Sequence, residues 1–209
     1  MDKIYDWREL NLQSLDIILC EGYGRLSKGI QVFQQLTGAL PEYAKISHVA
    51  GIDELQDHNK WLWLQESTTL NKWANMRGVQ RNPFNQWLYN YNGRVWVRKL
   101  HFGRTNGFYQ KDGSFWGDNK DNDYESGIPG AVELILTGLM LHKYIRRVFP
   151  NFEPFRTTQV HCAELYAYRV AAHNLWIDGV VLNRLPPWLW CSWIDMRLRC
   201  EVGEMIRIK

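Results

Sequence analysis

Cys162, His48 and Glu66 are the residues whose types and surroundings suit a thiol-based reaction. Cys162 stands in HCAELYA, after the polar run Thr157, Thr158, Gln159, where a helix is expected to begin. A thiol at a helix N-terminus faces unpaired N–H groups and the positive end of the dipole, and both favour the thiolate. The amide that follows it can help to hold a developing oxyanion. His48 lies in the small-residue segment ISHVAGI, where Ser47 and Gly51 leave room around an imidazole. Glu66 falls toward the end of the segment WLWLQES, and a carboxylate on a neighbouring strand can orient that imidazole. Gln65 points to the opposite sheet face, so register decides which of the two meets His48. Each residue also has a plain structural reading: an inert buried thiol, a hydrogen-bonded strand histidine, a solvated strand-end charge. Taken singly, none of the three decides the matter.

A sheet and a helix must position these groups. LDIILC at 15–20 is a short apolar run and reads as a strand. The following EGYGRLSKGIQVFQQLTG is a loop and then a helix ending at Gly38. ISHVAGI at 46–52, WLWLQES at 61–67 and RVWVRKL at 94–100 are expected strands, with LQDHN as a polar turn between the first two. Residues 103–130 are rich in Gly, Asp and Asn without periodicity and read as an irregular insertion. Within them DNKDND lacks the spacing and closing Glu of a calcium loop, so no metal is expected. Residues 131–148 are expected to form an apolar helix closed by Arg146 and Arg147, and 157–174 a second helix with Leu165, Tyr168 and Ala172 on one face. EVGEMIRIK reads as a closing strand. The fold class expected is α+β, a small antiparallel sheet packed against helices, in a single domain spanning 1–209.

Composition narrows the classes of function. At 45% hydrophobic and 22% charged residues the chain has the balance of a globular protein, and a formal charge of +3 with no block of like charges argues against nucleic acid. MDKIYDWREL has no signal-peptide core, so a cytoplasmic location is expected, as for a protein delivered by a phage or secretion system. The longest apolar stretch, AVELILTGLMLH, carries Glu133 and His142 and is shorter than the ~20 residues of a membrane span, although peripheral membrane contact stays open. The four cysteines show no CxxC spacing, which removes zinc ribbons and redox pairs. Eleven tryptophans, among them Trp188, Trp190 and Trp193, supply either core packing or an aromatic wall for a substrate or interface.

The order of these segments resembles the circularly permuted branch of the NlpC-type papain-like hydrolases, the YiiX/YaeF-like group. The resemblance rests on LDIILCEGYGRLSKGIQ at 15–31, ISHVAGI at 46–52, LQEST at 64–68 and HCAELYA at 161–167. In that family a "Gly-Asp-Ile-Ile" strand, a helix, "Ser-His-Val-Gly", a "Glu-(Ala/Ser)" strand and a late "Cys-Ser-Glu-Leu-Val" follow one another. PPWLWCSWID is similar, more loosely, to its closing "Pro-x-Asp" segment. Two departures stand out: Leu15 replaces the opening Gly, and Ala163 replaces the Ser after the cysteine.

The resemblance implies a circularly permuted papain-like fold with Cys162 as nucleophile, His48 as general base and acid, and Glu66 as the orienting third member. It implies no cofactor. Tyr23, in the glycine-flanked loop, Ser47 and His161 are the candidates for substrate or oxyanion contacts. His161 projects about 100° around the helix from Cys162 and is expected on the rim. The implied activity is hydrolysis of an amide or peptide through a thioester, with cell-wall peptides or peptidoglycan fragments among the substrates. Lipid or acyl thiol hydrolysis, acyl transfer, and an inactive binding module are the other readings.

Overall fold

The computed structural model describes residues 3–36, 38–54, 61–71, 76–120, 162–176, 187, 189–192 and 198–209. The expected helix at 131–148, the turn at 55–59, His161, Trp188 and Trp193 lie outside the described residues.

The chain is α+β, with helices packed on an antiparallel sheet. The central strand is β1 (Ile17–Gly22), buried along its whole length. A strand covered on both faces reads as a continuous apolar run, as IILC does here. It pairs on one side with β2 (His48–Glu54) and on the other with β5 (Gly93–Arg98). β3 (Leu62–Asn71) and β4 (Met76–Pro83) extend the sheet beyond β2, and β8 (Ile206–Arg207) closes it beyond β5. The order is β4-β3-β2-β1-β5-β8, with every pairing antiparallel. Two short strands, β6 (Leu100–His101) and β7 (Glu201–Val202), pair separately.

The period of two divides the side chains between two cores. Ile17, Leu19, Val49 and Trp96 join Tyr166, Ala167, Val170 and Trp190 on one face. Ile18, Cys20, Ala50, Ile52 and Leu64 join Phe84, Trp87 and Val95 on the other. The first face is covered by α5 (Cys162–Ala172), together with α4 (Asn106–Asn119) and α6 (Leu189–Ser192). The second is covered by α3 (Phe84–Asn90) and the 3-10 turn Trp7–Leu10, whose Trp7 meets Phe84 edge-on. α1 (Arg25–Leu36) and the single turn α2 (Pro41–Ala44) connect β1 to β2.

Two contacts seat α5 against the sheet. A Cβ on Gly51 would lie 2.5 Å from Tyr166 Cε2, so only glycine lets that ring settle on β2. The space beside Gly51 is therefore taken by Tyr166, not left open around His48. The Tyr166 hydroxyl then donates to the Leu15 carbonyl. Leu15 itself adopts φ 68, the left-handed region that favours glycine. The departure from an opening Gly thus costs backbone strain, offset by a side chain that is fully buried in the core.

Several expectations need correction. Residues 106–119 of the supposed irregular insertion form the helix α4. β4 and α3 arise between the expected strands at 61–67 and 94–100, where no element was expected. The closing segment is two short strands separated by 203–205, not one. On α5 the face toward the sheet is Cys162, Tyr166, Arg169 and Val170, while Tyr168 is exposed.

Candidate active site

Cys162 is the first residue of α5, and His48 is the first residue of β2. The helix comes from one face of the sheet, and His48 shares the other face with Ala50 and Ile52. The two groups meet at the end of β2, where the imidazole hydrogen-bonds the sulfur. The backbone N–H groups of Val49 and Ala163 also donate to that sulfur. The following strand supplies the third member. Glu66 Oε2 lies 2.8 Å from His48 Nε2, which leaves Nδ1 to face the thiol. Register settles the choice between neighbours: Ile52 pairs Leu64 across β2 and β3, so Glu66 falls on the His48 face. Gln65 falls on the other, donating to Asp53 Oδ2 at 2.8 Å.

Glu66 is held from behind. Its Oε1 accepts from Asn82 Nδ2 at 2.9 Å and from Trp87 Nε1 at 3.0 Å. Both donors come from elements that were not expected. Asn82 is on β4 and Trp87 is on α3, five residues apart around the Pro83 corner. Tyr91, stacked on Trp87 with ring centroids 4.9 Å apart, hydrogen-bonds the Cys20 thiol next to the site. The signal for this shell was present: Gln80 and Asn82 alternate with Arg81 as strand positions do, and Asn-Pro ahead of Phe84 is a helix start.

The electrostatics separate one cysteine from the other three. Burial alone would raise the Cys162 thiol, but the His48 imidazolium and the two backbone amides bring it below its ordinary range. Burial alone would lower His48, but the Cys162 thiolate and then Glu66 push it up to about 10. Both shifts favour the thiolate–imidazolium form of the pair. Burial pushes Cys20 well up, reinforced by the negative charges of Glu66 and Cys162. Burial likewise pushes Cys191 up to about 12 and raises Cys200.

Among the described residues, neither Ser47 nor Tyr23 hydrogen-bonds Cys162, His48 or Glu66. Ser47 is buried and its hydroxyl serves the β1 backbone, accepting from Gly22 N–H at 3.1 Å and donating to the Cys20 carbonyl at 3.4 Å. Tyr23 is exposed in the loop before α1. Trp190 is fully buried against Tyr166 and Trp176, so it belongs to the core and not to an interface.

No family model matches the chain, and no curated protein matches it. Among solved structures, YiiX from Escherichia coli O157:H7, described as a metalloprotein, aligns over 93% of this chain and 88% of its own length. The TM-score is 0.50 and the identity 15%. The chain shares the YiiX fold. The word metalloprotein describes YiiX; among the described residues here, no group of three or more His, Cys, Asp or Glu side chains is placed to hold a metal ion.

Proposed function

We propose that this protein is a cysteine-dependent hydrolase of amide or peptide bonds, built as a circularly permuted papain-like domain. The observation that carries the reading is the imidazole of His48 set between the Cys162 sulfur and Glu66. Such an arrangement suits nucleophilic catalysis, with the nucleophile, the base and its orienter in hydrogen-bonded sequence.

In this mechanism the Cys162 thiolate attacks the carbonyl carbon, and the C–S bond forms as the carbonyl π electrons move to oxygen. The Ala163 N–H, at the start of α5, is available to that oxyanion once the sulfur has given up its charge. On collapse the C–N bond breaks, and the His48 imidazolium gives its proton to the departing amine. Neutral His48 then takes a proton from water as it attacks the thioester. The second collapse releases the carboxylic acid and restores the thiolate–imidazolium pair. Glu66, fixed by Asn82 and Trp87, keeps the imidazole aimed and compensates its charge.

Cell-wall peptides are the first substrates to try. Incubation with peptidoglycan fragments and with activated acyl esters should yield an acyl adduct on Cys162, seen by peptide mass spectrometry, together with hydrolysed product. Intact substrates and an unmodified Cys162 across that panel would contradict the proposal.

A further inference from the structure

The helix α1 is built inside out. The side chains it turns to the protein are polar: Gln31 Nε2 donates to the Gly22 carbonyl at 3.0 Å, and Gln34 Nε2 to the carbonyls of Ala44 and Ile46 at 2.8 Å. Outward it turns apolar side chains interleaved with Arg25, Lys28 and Gln35. Leu26 is 56% exposed, Val32 55% and Leu36 77%, and Leu40 just beyond the helix is 55% exposed. A surface helix ordinarily buries such residues, and a contiguous exposed set marks a binding surface.

Charge identifies what it binds. Arg25 and Lys28 lie exposed on the same helix, which contains no Asp or Glu. Among the described residues neither forms an ion pair with a carboxylate. The Lys28 ammonium instead donates to Gln31 Oε1 at 3.0 Å and stands 5.4 Å from the centroid of the exposed Tyr23 ring. Leucines flanked by cations and a tyrosine are the composition of a helix that lies on an anionic lipid surface. From this we infer that α1, with Leu40, docks the protein on an anionic membrane. A second copy of the chain is a poorer occupant, because a two-fold contact through this face would bring the cations of two helices together with no Asp or Glu on either to offset them. The helix lies on the bilayer and does not cross it: α1 has 12 residues, and among the described residues no helix is long and apolar enough to span. Gln31 ties α1 to Gly22 at the end of β1, two residues from Cys20, which pairs with His48. The inner face of α1 is therefore anchored near the candidate site, while docking through its outer face is independent of any reaction there.

The test is flotation of the full chain with vesicles of phosphatidylcholine alone and of phosphatidylcholine mixed with phosphatidylglycerol, alongside sedimentation of the free protein. The expected result is binding to the mixed vesicles only, reversed by high salt. The pair Leu26→Ser and Leu36→Ser should weaken that binding by about tenfold or more. The pair Arg25→Glu and Lys28→Glu should abolish it, and Tyr89→Ser, at an exposed tyrosine on α3, should leave it unchanged. All these side chains are exposed, so circular dichroism should show the variants folded. Failure of the natural chain to bind the mixed vesicles, equal binding to both kinds, or binding indifferent to the leucine pair would each overturn the inference. So would self-association of the free protein that the leucine pair dissolves.

Discussion

Glu66 and Gln65 are neighbours in the chain, yet each opens onto a different buried polar cluster, one on either face of the sheet. On the Gln65 side, Asp53 meets Arg81 and Arg169, and Asp112 accepts two hydrogen bonds from Arg169, at 2.8 and 2.6 Å, with His173 at 3.2 Å. Two carboxylates face two guanidiniums, and Arg169 is 1% exposed. That cluster is closed on itself: its two carboxylates are matched by its two guanidiniums. On the Glu66 side one carboxylate supports a single imidazole, which is 14% exposed and hydrogen-bonded to a thiolate. Here the proton has two alternative homes, and the sulfur sits at the end of a helix and not in its middle. The lesson is that burial and charge alone do not mark a reactive site. The matched network braces α5 and α4 against β2, while the unmatched one leaves a thiol and an imidazole facing each other.

The largest effect should come from breaking the unmatched side. His48→Ala is expected to lower turnover by about 10²–10⁴-fold, read as kcat on any substrate found, with the fold intact by circular dichroism. Breaking the matched side should act on stability. Arg169→Leu leaves Asp112 and Asp53 without their shared cation and should cost about 3–5 kcal/mol in denaturant unfolding. The pH profile of Cys162 reactivity in the folded fraction should stay as it was. The sign of its acid dependence follows from Asp112. Burial alone would raise this carboxyl, but Arg169 and then His173 hold it well below the usual range. That stabilisation is present above the unfolded carboxylate pKa and is lost as pH falls through the folded one, so Arg169→Leu should flatten the acid limb of stability.

A smaller effect sharpens the comparison on the reactive side. With Glu66→Gln, the His48 pKa should fall from about 10 toward its ordinary value. His48 is raised when folded, so the ion pair is lost as pH rises through that value, and the alkaline limb of turnover should move down in pH. The smallest effect expected is that of Trp87→Phe, which removes one of two donors to Glu66 Oε1 and should cost about 1.5 kcal/mol in stability.

The parts of this arrangement that were legible are those whose residues follow one period. β1, β2, β3 and β5 carry apolar or aromatic runs, and Cys162 follows a polar stretch where a helix begins. β4 was obscured because both of its faces are polar. Gln80 and Asn82 face the Glu66 side and Arg81 joins the ion network, so no apolar alternation survives. α4 was obscured for a related reason: its buried face pairs Phe108 with the charged Asp112, and glycines dilute the rest. The choice between Glu66 and Gln65 needed register, a property of two strands together. Ser47 looked like a site residue by position alone, but the β1 backbone had a prior claim on its hydroxyl.

The measurement that bears most directly on the central claim is the pH dependence of iodoacetamide labelling at each cysteine, mapped by peptide mass spectrometry in the natural chain and in His48→Ala. An ordinary thiol titrates near ~8.5. Cys162 should label rapidly well below that pH while Cys20, Cys191 and Cys200 do not, and His48→Ala should return Cys162 to ordinary behaviour. Labelling of Cys162 no faster than that of the other three, or unchanged by the loss of His48, would contradict that claim.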